Sequence, residues 1–183
     1  MKQRFLPNLI LTASLMAAWA AGASAQTVSP PPISVIGQMP VIQAETLSER
    51  KVTLPQDLPG EKTLALIAFT REQQTNVNTW IQGLSLNTAT EPWVELPVVG
   101  AQNRLMRAFT DSGMRMGIPD ETMRNRVITL YTDRDAFVQA MGFKNSTRTI
   151  YAAIINRAGQ VLASVEGDYT SEKAAVLAKA YGQ

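Results

Sequence analysis

From Val41 onward the apolar positions switch between two periods, and the switches mark out the elements of a globular domain. Lys51-Val52-Thr53-Leu54 alternates as an edge strand does, and Asp57 to Gly60 turns. Thr63 to Phe69 is a near-continuous apolar run of the kind covered on both faces of a sheet. Gln73 to Leu84 then sets Val77, Trp80, Ile81 and Leu84 on one side of a helix. Trp93 to Val99 is the next strand, with Pro97 predicting a non-central position or a bulge. Leu105, Met106, Phe109, Gly113, Met114 and Met116 predict a helix from about Asn103, ended by Gly117 and Pro119. A short polar helical turn follows over Asp120 to Arg126.

Val127 to Tyr131 alternates into a strand. Thr132-Asp133 then caps a helix that buries Phe137, Val138 and Met141 and stops at Gly142. Thr149 to Ile155 is a buried strand, and Asn156-Arg157-Ala158-Gly159 is a turn whose glycine stands where positive φ is required. Val161 to Val165 returns antiparallel. Thr170-Ser171-Glu172 opens the last helix, with Val176, Leu177, Ala180 and Tyr181 predicted to face inward. Strands alternate with helices and a β-hairpin plus helix closes the chain. That order predicts a single α/β domain over 41–183, with three α/β/α layers around a mixed central sheet.

The residues ahead of the domain read differently. Lys2 and Arg4 precede an apolar run from Phe5 to Ala21, and Ala23-Ser24-Ala25 supplies a small-residue cleavage site, so residues 1–25 are expected to be a secretory signal. Residues 26–40, with Pro30, Pro31, Pro32 and Pro40, are expected to form an extended tether. Export follows, to the periplasm or extracellular space if the host is bacterial, with no stable membrane insertion once the signal is removed. The chain holds 17 basic and 15 acidic side chains. Cleavage would take Lys2 and Arg4 and leave the rest near neutral, so no nucleic-acid partner is expected. The chain has neither cysteine nor histidine. Thiol nucleophiles, dithiol exchange, Cys-ligated metal and the Ser-His-Asp arrangement are therefore excluded.

The order of elements resembles the thioredoxin-like superfamily, and within it the peroxiredoxin-like branch with an extra helix and strand in the middle. Gly113-Met114-Arg115-Met116-Gly117-Ile118-Pro119, Met141-Gly142-Phe143-Lys144-Asn145, Tyr151 to Gly159, and Gly167 with Glu172 are similar to motifs of the mitochondrial ATP synthase assembly factor family numbered ten in yeast. The resemblance covers roughly residues 60 to 180. Asn156 stands where that family has an aspartate, and Leu162-Ala163 where it has an arginine-tryptophan pair. The resemblance implies a chaperone that holds a membrane subunit during assembly.

In redox-active proteins of this superfamily a reactive cysteine follows the strand equivalent to Leu64–Phe69. Here the segment is Thr70-Arg71-Glu72-Gln73-Gln74-Thr75-Asn76. Thr70 is expected to cap the helix and Glu72 to complement its dipole. Thr70, Arg71, Thr75 and Asn76 form a candidate site for an anion or peptide carboxylate. A second candidate is the partner surface formed by Arg104, Arg107, Arg115, Met116, Arg124 and Arg126, where arginines interleave with methionines. The simpler expectation for that segment is methionines packed inward and arginines solvated. Asp133 and Asp135 are expected to cap a helix, and Trp80 and Trp93 to be core. Asn145-Ser146-Thr147 matches a glycosylation acceptor.

These readings combine into an expected redox-inactive, exported binding or assembly protein with no cofactor, no metal and a protein partner, membrane proteins included. An enzyme using carboxylate or hydroxyl groups, and a small-molecule or anion carrier, stay open as alternatives. Charge reversal at Arg107 and Arg115 is expected to reduce partner recovery with the melting temperature nearly unchanged.

Overall fold

A computed structural model describes residues 34–87, 90–144 and 146–182. The predicted signal, the start of the tether and Asn145 lie outside them. The strands are β1 (Gly37–Gln38), β2 (Ile42–Thr46), β3 (Lys51–Leu54), β4 (Lys62–Ala68), β5 (Trp93–Val99), β6 (Ile128–Tyr131), β7 (Tyr151–Asn156) and β8 (Gln160–Glu166). The helices are α1 (Gln74–Gly83), α2 (Arg104–Gly117), α3 (Glu121–Arg126), α4 (Arg134–Ala140) and α5 (Ser171–Gly182). The sheet runs β1-β8-β7-β4-β5-β6-β2-β3. β4, β5 and β6 are parallel, and the other neighbours pair antiparallel, which is the mixed sheet expected.

Alternation along the strands sends their apolar side chains to two faces. On one face Ala65, Ile67, Val94, Leu96, Val98 and Leu130 pack with Phe137, Val138 and Met141 of the α4 segment. On the other, Leu64, Leu66, Trp93, Ala152 and Ile154 pack with Val77, Trp80 and Ile81 of α1 and with Leu177 and Ala180 of α5. β4 is covered on both sides, as its unbroken apolar run requires. Trp80 and Trp93 are fully buried. Their indole N–H groups donate to the carbonyls of Gly167 (2.9 Å) and Leu86 (3.1 Å), so each ring is buried without an orphaned donor. Asp133 and Asp120 accept the backbone N–H groups of Ala136 and Met123, each at 2.9 Å, and so cap α4 and α3. Gly159 has φ +84° in the β7–β8 turn, the left-handed region foreseen for it.

Three expectations are corrected. The domain starts before Val41, because Gly37 and Gln38 pair with Val161 and Gln160, and Met39 is buried in the core. A strand at Ile42–Thr46 went unforeseen, because Ala, Gln and Glu between Ile42 and Thr46 are weak strand formers whatever their alternation. β5 is central despite Pro97. Its ladder to β6 touches at Glu95↔Val127 and resumes at Val98↔Leu130, leaving the interruption where proline has no N–H to give.

Candidate functional site

The turn from β4 into α1 is built around Gln73. A 3₁₀ turn over Arg71–Gln73 precedes the helix, and the Gln73 side chain folds inward instead of capping it. The Phe69 N–H donates to Gln73 Oε1 at 2.7 Å, and Gln73 Nε2 donates to the Thr147 carbonyl at 2.9 Å. One buried amide therefore ties the end of β4 to the loop before β7. Thr70 does not cap the backbone as expected. The Glu72 carboxylate accepts its own backbone N–H and, as the smaller contribution, the Thr70 hydroxyl, and these bonds hold the Glu72 pKa below the usual range.

Thr70, Arg71 and Thr75 are exposed, and Asn76 donates its amide to Asp168. Two of the chain's own carboxylates are at this turn, Glu72 beside Thr70 and Arg71 and Asp168 on the Asn76 amide. Like charge there opposes an anionic ligand.

Directly behind this turn lies a residue the sequence reading passed over. Glu95 on β5 is 4% exposed. Gln74 Nε2 donates to its Oε2 at 3.5 Å, a long contact. Burial pushes its carboxyl up to about 7, with the Gln74 bond opposing. The signal was present as a lone carboxylate in the apolar run Trp-Val-Glu-Leu, in a strand that Pro97 had argued away from a central position.

α2 shows an inverted arrangement. Its side toward the sheet is polar: Tyr131 Oη donates to Asp111 Oδ1 at 2.7 Å, and the Arg107 guanidinium lies 4.8 Å from the Tyr131 ring centroid. Arg115 pairs with Glu49, and Thr129 Oγ1 donates to Met114 Sδ at 3.8 Å. Its apolar side faces outward. Leu105 is 80% exposed, Phe109 78%, Met116 80% and Met106 48%. No residue of α2 belongs to either hydrophobic cluster of the described residues. The expectation of buried methionines is overturned for Met106 and Met116, whereas Met114 and Met123 are half-buried and Arg107 is exposed. Helical periodicity identifies a stripe but does not say which way it turns.

Arg124 and Arg126 of the predicted surface serve as fasteners. Arg124 Nη1 donates to the Ile118 and Pro119 carbonyls at 3.0 and 2.8 Å, closing the α2–α3 junction. Arg126 lies 5.1 Å from the Trp93 ring centroid and donates to the Trp93 carbonyl at 3.3 Å. Arg104 begins α2, and Met116 alone of the predicted surface residues belongs to the outward stripe.

Two of the cavities among the described residues bear on ligand binding. One, of about 560 Å³, is an open polar cleft lined by Lys144, Ser146, Arg148, Thr149, Glu166 and Gly167. The other, of about 390 Å³, is mainly apolar and lies under α5, between Leu64, Trp93, Ile154, Leu177 and Tyr181, with Glu91 in its lining. Burial and the nearby Glu91 charge raise the Tyr181 pKa. Neither cavity brings Glu72, Asp133 and Arg71 together. Among the described residues no helix is long and apolar enough to cross a membrane.

No family model matches the chain, and no curated protein matches it. Solved structures do. A putative electron transfer protein from Aquifex aeolicus VF5 aligns with a TM-score of 0.57 at 12% identity, covering 82% of this chain and 100% of its own. BsSco, a member of the Sco family of cytochrome c oxidase assembly proteins, aligns with a TM-score of 0.51 at 11% identity, covering 82% of this chain and 96% of its own. At such identities the likeness is one of fold, and that fold is thioredoxin-like.

Proposed function

We propose that this protein is a redox-inactive, exported binding or assembly protein that uses a thioredoxin-like fold to hold a protein partner, with membrane or envelope proteins as its clients. The observation that carries the reading is the outward apolar stripe of α2. Four large apolar side chains displayed together on a helix fastened by its polar side form a surface for another polypeptide. Methionines give such a surface adaptability.

The turn after β4 supports the same reading from the chemical side. It carries no thiol or imidazole, and its amide and carboxylate groups are bonded to the chain itself. BsSco, which has a similar fold, belongs to a family of assembly proteins. The motifs similar to the ATP synthase assembly factors point the same way, as does the expected signal over residues 1–25.

The test is quantitative capture of partners from membranes of the host, comparing the native chain with Leu105→Glu and Phe109→Glu. Both positions are exposed, so both variants keep the native circular dichroism and melting temperature, and both lose the partner. Capture undiminished by either variant overturns the reading.

A second reading, carriage of a small apolar molecule, has the 390 Å³ cavity under α5 in its favour. Stabilisation of the native protein by alkylamines, abolished by filling the cavity with Ala178→Trp, would favour it over the first.

A further inference from the structure

We infer that α2 is also the contact through which two copies of this chain associate, their outward stripes crossing antiparallel about a twofold axis near Ser112. The inference rests on reading α2 as a docking surface and names its occupant in the isolated protein.

The stripe has two unlike halves. Toward the helix start it is bulky, with Leu105, Met106 and Phe109; toward the end it is small, with Ser112, Gly113 and Gly117 beside Met116. A Cβ built on Gly113 or Gly117 would meet nothing within 4 Å, so both glycines border open space. Antiparallel pairing places bulk against space. Phe109 falls over the partner subunit's Gly113, Met106 over the partner subunit's Gly117, and Leu105 against the partner subunit's Met116. A contact that fits itself in this way closes as a symmetric dimer.

Charge selects against a lipid surface. Arg107, Asp111 and Arg115 lie on the side fastened to the domain, and Leu105, Met106, Phe109, Ser112, Gly113 and Met116 bring no charge to the outward side. A helix lying on an anionic lipid surface needs cations beside its apolar face. A neutral apolar stripe is matched by a second one.

The area agrees. These four side chains contribute roughly 500 Å² per copy, toward the upper end of the single apolar patches that monomers carry. Two copies bury about 1,000 Å² of stripe, the lower bound of a specific interface, so the dimer is weak and forms with rising concentration. Dimer formation hides the stripe, so a client and a second copy compete for it.

Sedimentation of the purified protein through the micromolar range tests the inference, together with oxidation of single-cysteine variants, which the cysteine-free chain makes unambiguous. The expected results are a monomer–dimer equilibrium weakened about tenfold or more by Phe109→Glu, and a disulfide dimer from Ser112→Cys but not from Ala175→Cys on α5. A monomer at all concentrations overturns the inference, as does a dimer indifferent to Phe109→Glu, or equal crosslinking at both cysteines. A monomer that still loses its captured partner through Phe109→Glu defeats the dimer and leaves the proposed function standing. A dimer whose partner capture ignores Phe109→Glu does the reverse.

Discussion

Tyr131, on the third parallel strand of the sheet, donates its hydroxyl to Asp111 of α2 at 2.7 Å, and this bond faces the polar side of the helix toward the domain. Burial is the main cause raising the Tyr131 pKa, reinforced by the neighbouring Asp111 carboxylate, so the phenol stays protonated and remains a donor through the physiological range. Tyr131→Phe keeps a ring for Arg107 to lie over and removes only the hydroxyl. It should cost about 1 kcal/mol of stability and speed amide exchange in α2 more than in α1 or α5. Exchange mass spectrometry resolves the three helices separately.

Arg107 and Arg115 belong to the same fastening, which reverses an expectation from the sequence. Charge reversal at either was expected to spare the melting temperature. With Arg107 over the Tyr131 ring and Arg115 paired to Glu49, reversal places like charges together at Glu49 and Asp111. Both variants should melt below the native protein by the equivalent of about 1 kcal/mol, as calorimetry would read.

Gln73 joins two segments whose backbone groups have no other use for one another. Gln73→Ala leaves the Phe69 N–H and the Thr147 carbonyl without this partner in a buried region and should destabilise by about 2 kcal/mol. Gln73→Glu keeps an acceptor for Phe69 but no donor for Thr147, so it should recover only part of the loss in urea denaturation.

Glu95 gives the stability a pH dependence of known sign. Its carboxyl titrates near 7 in the fold and near 4.5 when unfolded, so between those values the folded chain holds the extra proton. The associated stability is fully present below pH 4.5 and is lost as pH rises through 7. Glu95→Gln removes the titration. Relative to the native chain it should gain roughly 3 kcal/mol above pH 8 and little below pH 4, as unfolding curves at the two pH values would show.

The element order was readable because each element carries its own period. Val77, Trp80 and Ile81 mark α1 and the unbroken Leu64–Phe69 run marks a covered strand; both sit where the pattern placed them. β1 and β2 were not readable. Two residues have no period, and Gln43, Ala44 and Glu45 are ordinary loop formers until β3 and β6 pair with them. Pro97 misled because one missing donor interrupts a ladder without displacing a strand flanked by β4 and β6.

The sequence by itself determined the apolar stripe of α2, the absence of thiol and imidazole after β4, and a thioredoxin-like order of elements, since composition and period are local properties. Only the tertiary structure decided that the stripe faces outward. That orientation depends on Glu49, Thr129 and Tyr131, which reach α2 from other strands and loops. A helix's own residues define its two faces, and the polar groups brought against one face determine which side is left to bind.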